Sequence, residues 1–269
     1  MRQFVVENEK TDSNNCLIIE GKKFKYLNSV LRVQAGDMIQ VRLANGILQP
    51  MTVCKIDTSA KKILLQNAGS DESSKPEFSC KIPETEYYLF QFIPKSPKLD
   101  LIVRQACECG VKNIILVDGE FCQKGNVESA KKRCCSSDER FARIITEARE
   151  QSGSPVETNV LGIMSVDEAC SFWKKESEGS GSIGIVMYEC TAGTVAVKDA
   201  VCGDGIKKAA LVVGAEGGIS KAEVEALSSA GFTPVHFETN ILRCETASLY
   251  GTAALQVLLS GEKNGSEKN

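Results

Sequence analysis

The chain has 269 residues, with 42% hydrophobic and 25% charged side chains and a net charge of −3, proportions of an ordinary globular protein long enough for two domains. No apolar run approaches the ~18 residues of a membrane span, and the opening MRQFVVENEK lacks the apolar core of a secretory signal, so neither a membrane nor a secreted protein is expected and the cytoplasm is the expected compartment. The chain has 12 cysteines, one histidine and no C-x-x-C pair, which argues for free thiols in a reducing compartment and against a metal site.

Residues 1–70 read as β-rich. Phe4–Val6, Cys16–Ile19, Met38–Leu43, Ile47–Ile56 and Lys61–Leu65 are short runs of strand-forming residues. Asn45-Gly46 is tight-hairpin chemistry, and Lys22–Leu31 is predicted as a helix. Five short strands in this length predict a small barrel. Residues 1–67 hold ten Lys/Arg against six Asp/Glu, whereas the remainder is net acidic, so this module is the natural candidate for a nucleic-acid-facing surface. A solvated basic face without a partner fits the same bias. The polar stretch 71–79 reads as a linker and 261–269 as a polar tail, leaving 80–260 as the second domain.

From residue 86 strands and helices alternate. Strands are predicted at Tyr87–Ile93, Asn113–Val117, Thr158–Leu161 and Ile183–Tyr188. Helices are predicted from Pro94 to about Cys109, from Asp138 to Ser152 with Ser136 or Ser137 as cap, and from Val166 to Lys174. Such alternation implies an α/β fold with a parallel sheet covered on both faces.

The last stretch carries most of the chemistry. The buried strand Ala209–Val213 runs into Gly214-Ala215-Glu216-Gly217-Gly218, and Ser220-Lys221-Ala222-Glu223 is a capping box that opens a helix. A short strand, Thr233–Phe237, leads to a second loop, Glu238 to Glu245, and to a helix predicted to start near Thr246 and apolar on most faces. Strand-to-helix loops at the carboxyl edge of a parallel sheet are where ligands bind. Two ordinary turns would show the same spacing. The first loop is neither a dinucleotide fingerprint nor a phosphate loop, since it lacks both G-x-G-x-x-G and Gly-Lys-Ser/Thr.

The motifs GAEGGISKAE (214–223) and ILRCETA (241–247) resemble those of the bacterial 16S rRNA uridine-N3 methyltransferase family, part of the SPOUT superfamily. VRQACECGVKNIILVDGE (103–120), RFARIITEAREQSGS (140–154) and YLNSVLRVQAGD (26–37) agree with it in order along the chain. The resemblance implies a trefoil-knotted parallel-sheet domain behind a PUA-like β-barrel. It also implies a homodimer, S-adenosylmethionine as methyl donor, no metal, and small-subunit ribosomal RNA or the assembled subunit as partner.

Carried over position by position, Gly214, Glu216, Gly217, Gly218, Phe237, Asn240, Ile241, Leu242 and Arg243 would hold the cofactor. Arg243 would stabilise charge on the uracil or grip its phosphate, and Glu245 would accept the N3 proton or orient Arg243. The same two residues can equally form an ion pair at the helix entrance, with Thr246 as cap. Arg2, Lys22, Lys23, Lys25 and Arg32 would meet phosphates. Cys244, inside the loop, is not expected to be a nucleophile. Ala215, Glu238 and Asn240 replace the family's Pro, Gly and Arg, and Tyr26, Gln105 and Ser154 replace its His, Lys and Arg. The changes at Gln105, Ser154 and Asn240 remove cations expected near the RNA path. They leave open a related enzyme acting on another nucleotide, and a binding or ribosome-assembly factor without turnover.

Overall fold

The computed structural model describes residues 3–6, 10–11, 16–68, 82–135, 139–179, 181–203 and 205–260. Arg2, the linker 71–79, the caps Ser136 and Ser137 and the tail 261–269 lie outside the described residues. The chain forms two compact units, one of residues 1–82 with 149–155, the other of 83–148 with 156–269.

The first unit contains β1 (Phe4–Val5), β2 (Lys10–Thr11), β3 (Leu17–Ile19), α1 (Gly21–Lys25), β4 (Met38–Arg42), β5 (Leu48–Asp57) and β6 (Lys62–Asn67). The strands form one mixed sheet in the order β1-β4-β5-β6-β3-β2, with β1 parallel to β4. Thus six strands stand where five were expected; β2 is only two residues long, too short to leave a pattern. The single helix expected at 22–31 is α-helical only to Lys25, and Tyr26–Leu31 winds wider as a π-helix ending at left-handed Arg32 (φ 53°). Gly46 takes φ 78° in the predicted hairpin turn, where a side chain would be strained.

The core of this unit is Phe4, Leu17, Ile19, Phe24, Leu27, Val41, Val53, Ile63 and Leu65. The cation Arg42 is buried beside it. Arg42 donates to Gln3 Oε1 (2.8 Å), the Gly46 carbonyl (2.9 Å) and the Gly153 carbonyl (3.0 Å). Gln3 in turn donates to the carbonyls of Arg149 and Ser154. Residues 149–155 join this unit through those bonds, so the EQSGS stretch of the sequence motif is a structural tie.

The second unit contains β7 (Glu86–Phe92), α2 (Ser96–Glu108), β8 (Asn113–Asp118), α3 (Lys124–Cys134), α4 (Arg140–Ser152, its last residues in the first unit) and β9 (Asn159–Ser165). It continues with α5 (Val166–Ser177), β10 (Ser182–Met187), β11 (Val195–Ala196), α6 (Val197–Ala200), β12 (Lys208–Val213), α7 (Lys221–Ser229), β13 (Phe232–His236) and α8 (Cys244–Ser260). Every pairing among its strands is parallel, in the order β11-β13-β10-β12-β7-β8-β9. The strands read as continuous apolar runs because helices cover both faces. Tyr87 and Leu89 of β7 face a core with Leu99, Ile102, Phe141, Ile144 and Leu255. Tyr88, Phe90 and Phe92 face the opposite core with Trp173, Val224, Leu227 and Phe232.

Three elements of this unit escaped the sequence pattern. In α3 only Val127 and Ala130 are buried, a stripe too narrow to read, and β11 and α6 are two and four residues long. The last helix begins at Cys244, with the Ala247 amide already bonded to the Arg243 carbonyl (2.7 Å), so Thr246 lies inside it and is not its cap. Gly251 lets α8 approach the sheet, since a Cβ there would stand 2.7 Å from Met187 Sδ and 2.8 Å from Leu211 Cδ2.

Candidate active site

The carboxyl ends of β10, β12 and β13 surround a cavity of about 370 Å³. Of the residues predicted to hold a cofactor, Gly214, Glu216, Gly217, Gly218, Phe237, Asn240, Ile241 and Leu242 all line it. Arg243 does not. It is exposed, and its guanidinium makes no hydrogen bond or ion pair with the described residues.

The wall after β12 is a tight turn. Ala215 and Gly218 pair as an antiparallel bridge, with the Gly218 amide donating to the Ala215 carbonyl at 3.0 Å. A Cβ at Gly214 would stand 2.9 Å from the Gly218 backbone, and Gly218 itself takes φ 77°, so both positions need glycine. The capping box forms as its sequence predicts. Ser220 Oγ accepts from the Glu223 amide (3.4 Å), and Glu223 Oε2 accepts from the Ser220 amide (2.9 Å). The second oxygen of Glu223 accepts the Glu120 amide at 2.7 Å, fastening the loop after β8 beside this turn. Phe121 of that loop lies against Gly217, where a Cβ would stand 2.8 Å from its own Cβ.

Gln91 supports the same wall from beneath. Fully buried on β7, its side-chain amide donates to the carbonyls of Phe92, Val213 and Gly214, and its oxygen accepts the Ser248 hydroxyl. The wall after β13 is looser, with Glu238, Thr239 and Asn240 exposed and Ile241 88% exposed.

Glu245 pairs with a residue that the sequence did not single out. Lys98 Nζ of α2 lies 3.0 Å from Glu245 Oε2 and 3.3 Å from Glu216 Oε1. The Glu216 carboxylate also accepts the Lys95 amide at the start of α2, at 3.2 and 3.3 Å. Burial works against the charged form of Glu245. Its own backbone N–H, Lys98 and the Cys244 thiol outweigh that and hold its pKa below the ordinary value. The hydrogen bond to Glu245 holds Lys98 above the usual lysine range. Burial, then the carboxylates of Glu245 and Glu216, push the Cys244 thiol up to about 12, so it stays protonated at neutral pH and is a poor nucleophile.

The cavity also has contributors that were not anticipated, Tyr188, Glu189, Thr191 and His236, while Thr239 belongs to the expected second loop. The signal of these four in the sequence is position alone, since Tyr188, Glu189 and Thr191 follow β10 and His236 ends β13 at the same sheet edge. Glu189 reaches Gly218, where an added Cβ would lie 3.3 Å from its Oε1. His236 Nδ1 is bonded to Thr194 Oγ1 at 2.9 Å. Two carboxylates, many backbone polar groups and the apolar Ile219, Val235, Leu242 and Ala247 suit a ligand with cationic, polar and flat apolar parts. No group of His, Cys, Asp and Glu suited to a metal occurs among the described residues.

The expected cations divide. Lys22 and Lys25 on α1, and Arg32 after it, are exposed, and Lys23 is half-buried. Of the positions where the sequence lacks a family cation, Asn240 is exposed, but Ser154 is buried and Gln105 is half-buried with its Oε1 unbonded.

Comparison with known proteins decides the family. The family described as the RNA methyltransferase domain matches residues 81–256. The chain belongs to the RNA methyltransferase domain family. Its relatives include ribosomal RNA small subunit methyltransferase E 2 of Borreliella burgdorferi, 25% identical over 262 residues, which span 96% of this chain and 98% of that protein. Ribosomal RNA small subunit methyltransferase E of Aquifex aeolicus is 31% identical over 172 residues, 64% of this chain and 68% of that one. The fold is shared with the ribosomal RNA small subunit methyltransferase E from Neisseria gonorrhoeae bound to S-adenosyl methionine, at a TM-score of 0.74 and 24% identity over 96% of this chain and 98% of that one. In this RNA methyltransferase family member the matched region contains the whole cavity.

Proposed function

We propose that the chain methylates N3 of a uridine in small-subunit ribosomal RNA, using S-adenosylmethionine held in the cavity at the carboxyl ends of β10, β12 and β13. The observation that carries this reading is that two loops separated by one helix and one strand, Gly214–Gly218 and Phe237–Leu242, enclose one cavity of about 370 Å³. The names of the relatives and the cofactor-bound neighbour support it. The cofactor supplies a methyl group on a sulfonium, and everything else falls to this chain.

The residues divide that work. Backbone groups of the two loops would grip the cofactor, and Glu189 and Glu216, which line the cavity, would supply negative charge toward its cationic groups. Arg243, exposed just outside the cavity, offers a guanidinium to the uracil oxygens as negative charge develops there. Glu245, kept ionised, is the acceptor for the N3 proton or holds the base in line. Positioning of the acceptor in line with the methyl supplies much of the acceleration.

The remaining parts of the reading concern assembly. The first unit acts as a PUA-like barrel that grips RNA through Arg2, Lys22, Lys23, Lys25 and Arg32; the mixed six-stranded sheet around one core supports this. The second unit is trefoil-knotted; the path of the chain from β10 out to β11 beyond β13 and back to β12, with α8 then packing against β12 and β7, supports this reading. The chain works as a homodimer in the cytoplasm, with α8 presenting Leu249, Tyr250 and Val257 on its exposed side. Among the described residues no helix is long and apolar enough to cross a membrane.

The test is incubation with labelled S-adenosylmethionine and small subunits lacking the modification, followed by digestion and nucleoside analysis. Label in N3-methyluridine is the expected result. Label in another nucleoside would overturn the choice of acceptor, and absence of both label and cofactor binding would overturn the enzyme.

A further inference from the structure

We propose that Lys98 is a positioning residue that fastens the two walls of the cavity to each other, through Glu216 on one side and Glu245 on the other. The proposal rests on the cavity being the cofactor site.

Neither Lys98 nor any other residue of α2 lines the cavity, so its ammonium acts from outside. It reaches the turn after β12 at Glu216 (3.3 Å) and the first turn of α8, which ends the wall after β13, at Glu245 (3.0 Å). Glu216 is fixed a second time by the Lys95 amide, at the N-terminus of the 13-residue helix α2, where partial positive charge favours a carboxylate. The Lys98, Glu216 and Glu245 side chains are 26%, 31% and 17% exposed, so the ion pairs are partly shielded from solvent screening. Cys244 completes the group, its thiol 3.3 Å from Glu245 Oε2 and 3.8 Å from Lys98 Nζ.

The cluster follows a simple charge logic. Two carboxylates from separate loops converge on one ammonium, and without it they repel each other. A lysine that merely stabilised the fold would need only one of these partners. One that bridges both makes the spacing of the walls depend on a single charge, and the spacing of the walls is what a backbone grip on a ligand requires.

The test compares Lys98→Met, Lys98→Arg and the double variant Lys98→Met/Glu245→Gln. The measurements are calorimetry with S-adenosylmethionine and hydrogen exchange of residues 214–219 and 241–247 without cofactor. Lys98→Met is expected to raise Kd about tenfold, the worth of one partly shielded charge-assisted bridge, and to speed exchange in both segments. Lys98→Arg is expected to stay near the parent protein. The double variant is expected to bind more tightly than Lys98→Met, because removing one carboxylate removes the repulsion; a residue of purely structural value would give a further loss instead. Unchanged exchange in Lys98→Met, or a double variant weaker than Lys98→Met, would overturn the clamp. If the parent protein fails to bind S-adenosylmethionine while Lys98→Met still loosens both segments, the clamp stands and the cofactor reading falls.

Discussion

The two walls of the cavity differ in how they are held. The turn after β12 is bound at every point: by the Ala215–Gly218 bridge, by the Ser220–Glu223 box, by the Glu223 bond to Glu120, and by Gln91 beneath it. The loop after β13 has one short turn among the described residues, the Thr239 amide on the Phe237 carbonyl (2.8 Å); Phe237 packs on Tyr250, while Glu238, Asn240 and Ile241 face solvent. One wall is preorganised and the other is left to be ordered by what it binds. Preorganisation lowers the entropic cost of gripping a ligand, and a loose wall allows entry and release.

A second capping box in the same chain sharpens the point. Ser165 and Glu168 form the same reciprocal pair at the start of α5, but both are exposed and hold nothing else. Glu223 is buried and holds the neighbouring loop as well. Glu223→Ala therefore leaves two backbone amides without partners and is expected to cost about 2–4 kcal/mol by urea denaturation. Glu168→Ala is expected to lower the thermal midpoint by no more than about 2 °C. Equal losses at the two boxes would mean that the bond to Glu120 contributes nothing.

The loose wall should show its effects in activity rather than stability. Arg243→Ala, at an exposed guanidinium with no partner among the described residues, is expected to lower kcat by about 10- to 100-fold, as loss of a transition-state contact does, with an unchanged urea midpoint. A shifted midpoint with intact kcat would remove Arg243 from the reaction. On the tight wall Gly218→Ala forces a side chain into the left-handed region and is expected to cost about 1–2 kcal/mol, measurable by the same denaturation.

The smallest expected effect lies at Cys244, between the walls. Cys244→Ala should keep kcat within about threefold, since a protonated thiol is no nucleophile. Alkylation at pH 8 should modify the exposed Cys135 and Cys190 before Cys244. The pH dependence has a definite sign. The folded pKa of Cys244, about 12, lies above the ordinary thiol value of 9.0, so its contribution to stability is complete below pH 9 and lost as pH rises toward 12. The Cys244→Ala variant should lose stability less steeply across that window in urea titrations.

The sequence by itself determined the elements with strong local codes. The apolar runs of β7, β8, β10 and β12 announce a doubly covered parallel sheet, because burial on both faces leaves no room for alternation. Ser220 and Glu223 mark a helix start, because the cap needs only residues three apart. The glycines at 214 and 218 mark a turn that only glycine tolerates, and eight of the nine residues expected at the cofactor do line one cavity.

The tertiary structure decided what depends on neighbours distant in sequence. Nothing around Lys98 shows that it will meet Glu216 and Glu245, residues more than a hundred positions away that only the insertion of β12 beside β7 brings close. The Glu245 carboxylate pairs with Lys98 and not with Arg243, which was one of the partnerships left open by the sequence, because α8 begins at Cys244 and Glu245 in its first turn reaches α2. Ser154 stands where the resemblance places an arginine, yet it is buried, its carbonyl accepting from Gln3. Local codes are read within a few residues, whereas charge partnerships are set by which strands lie side by side, and strand order is written in no short stretch of chain.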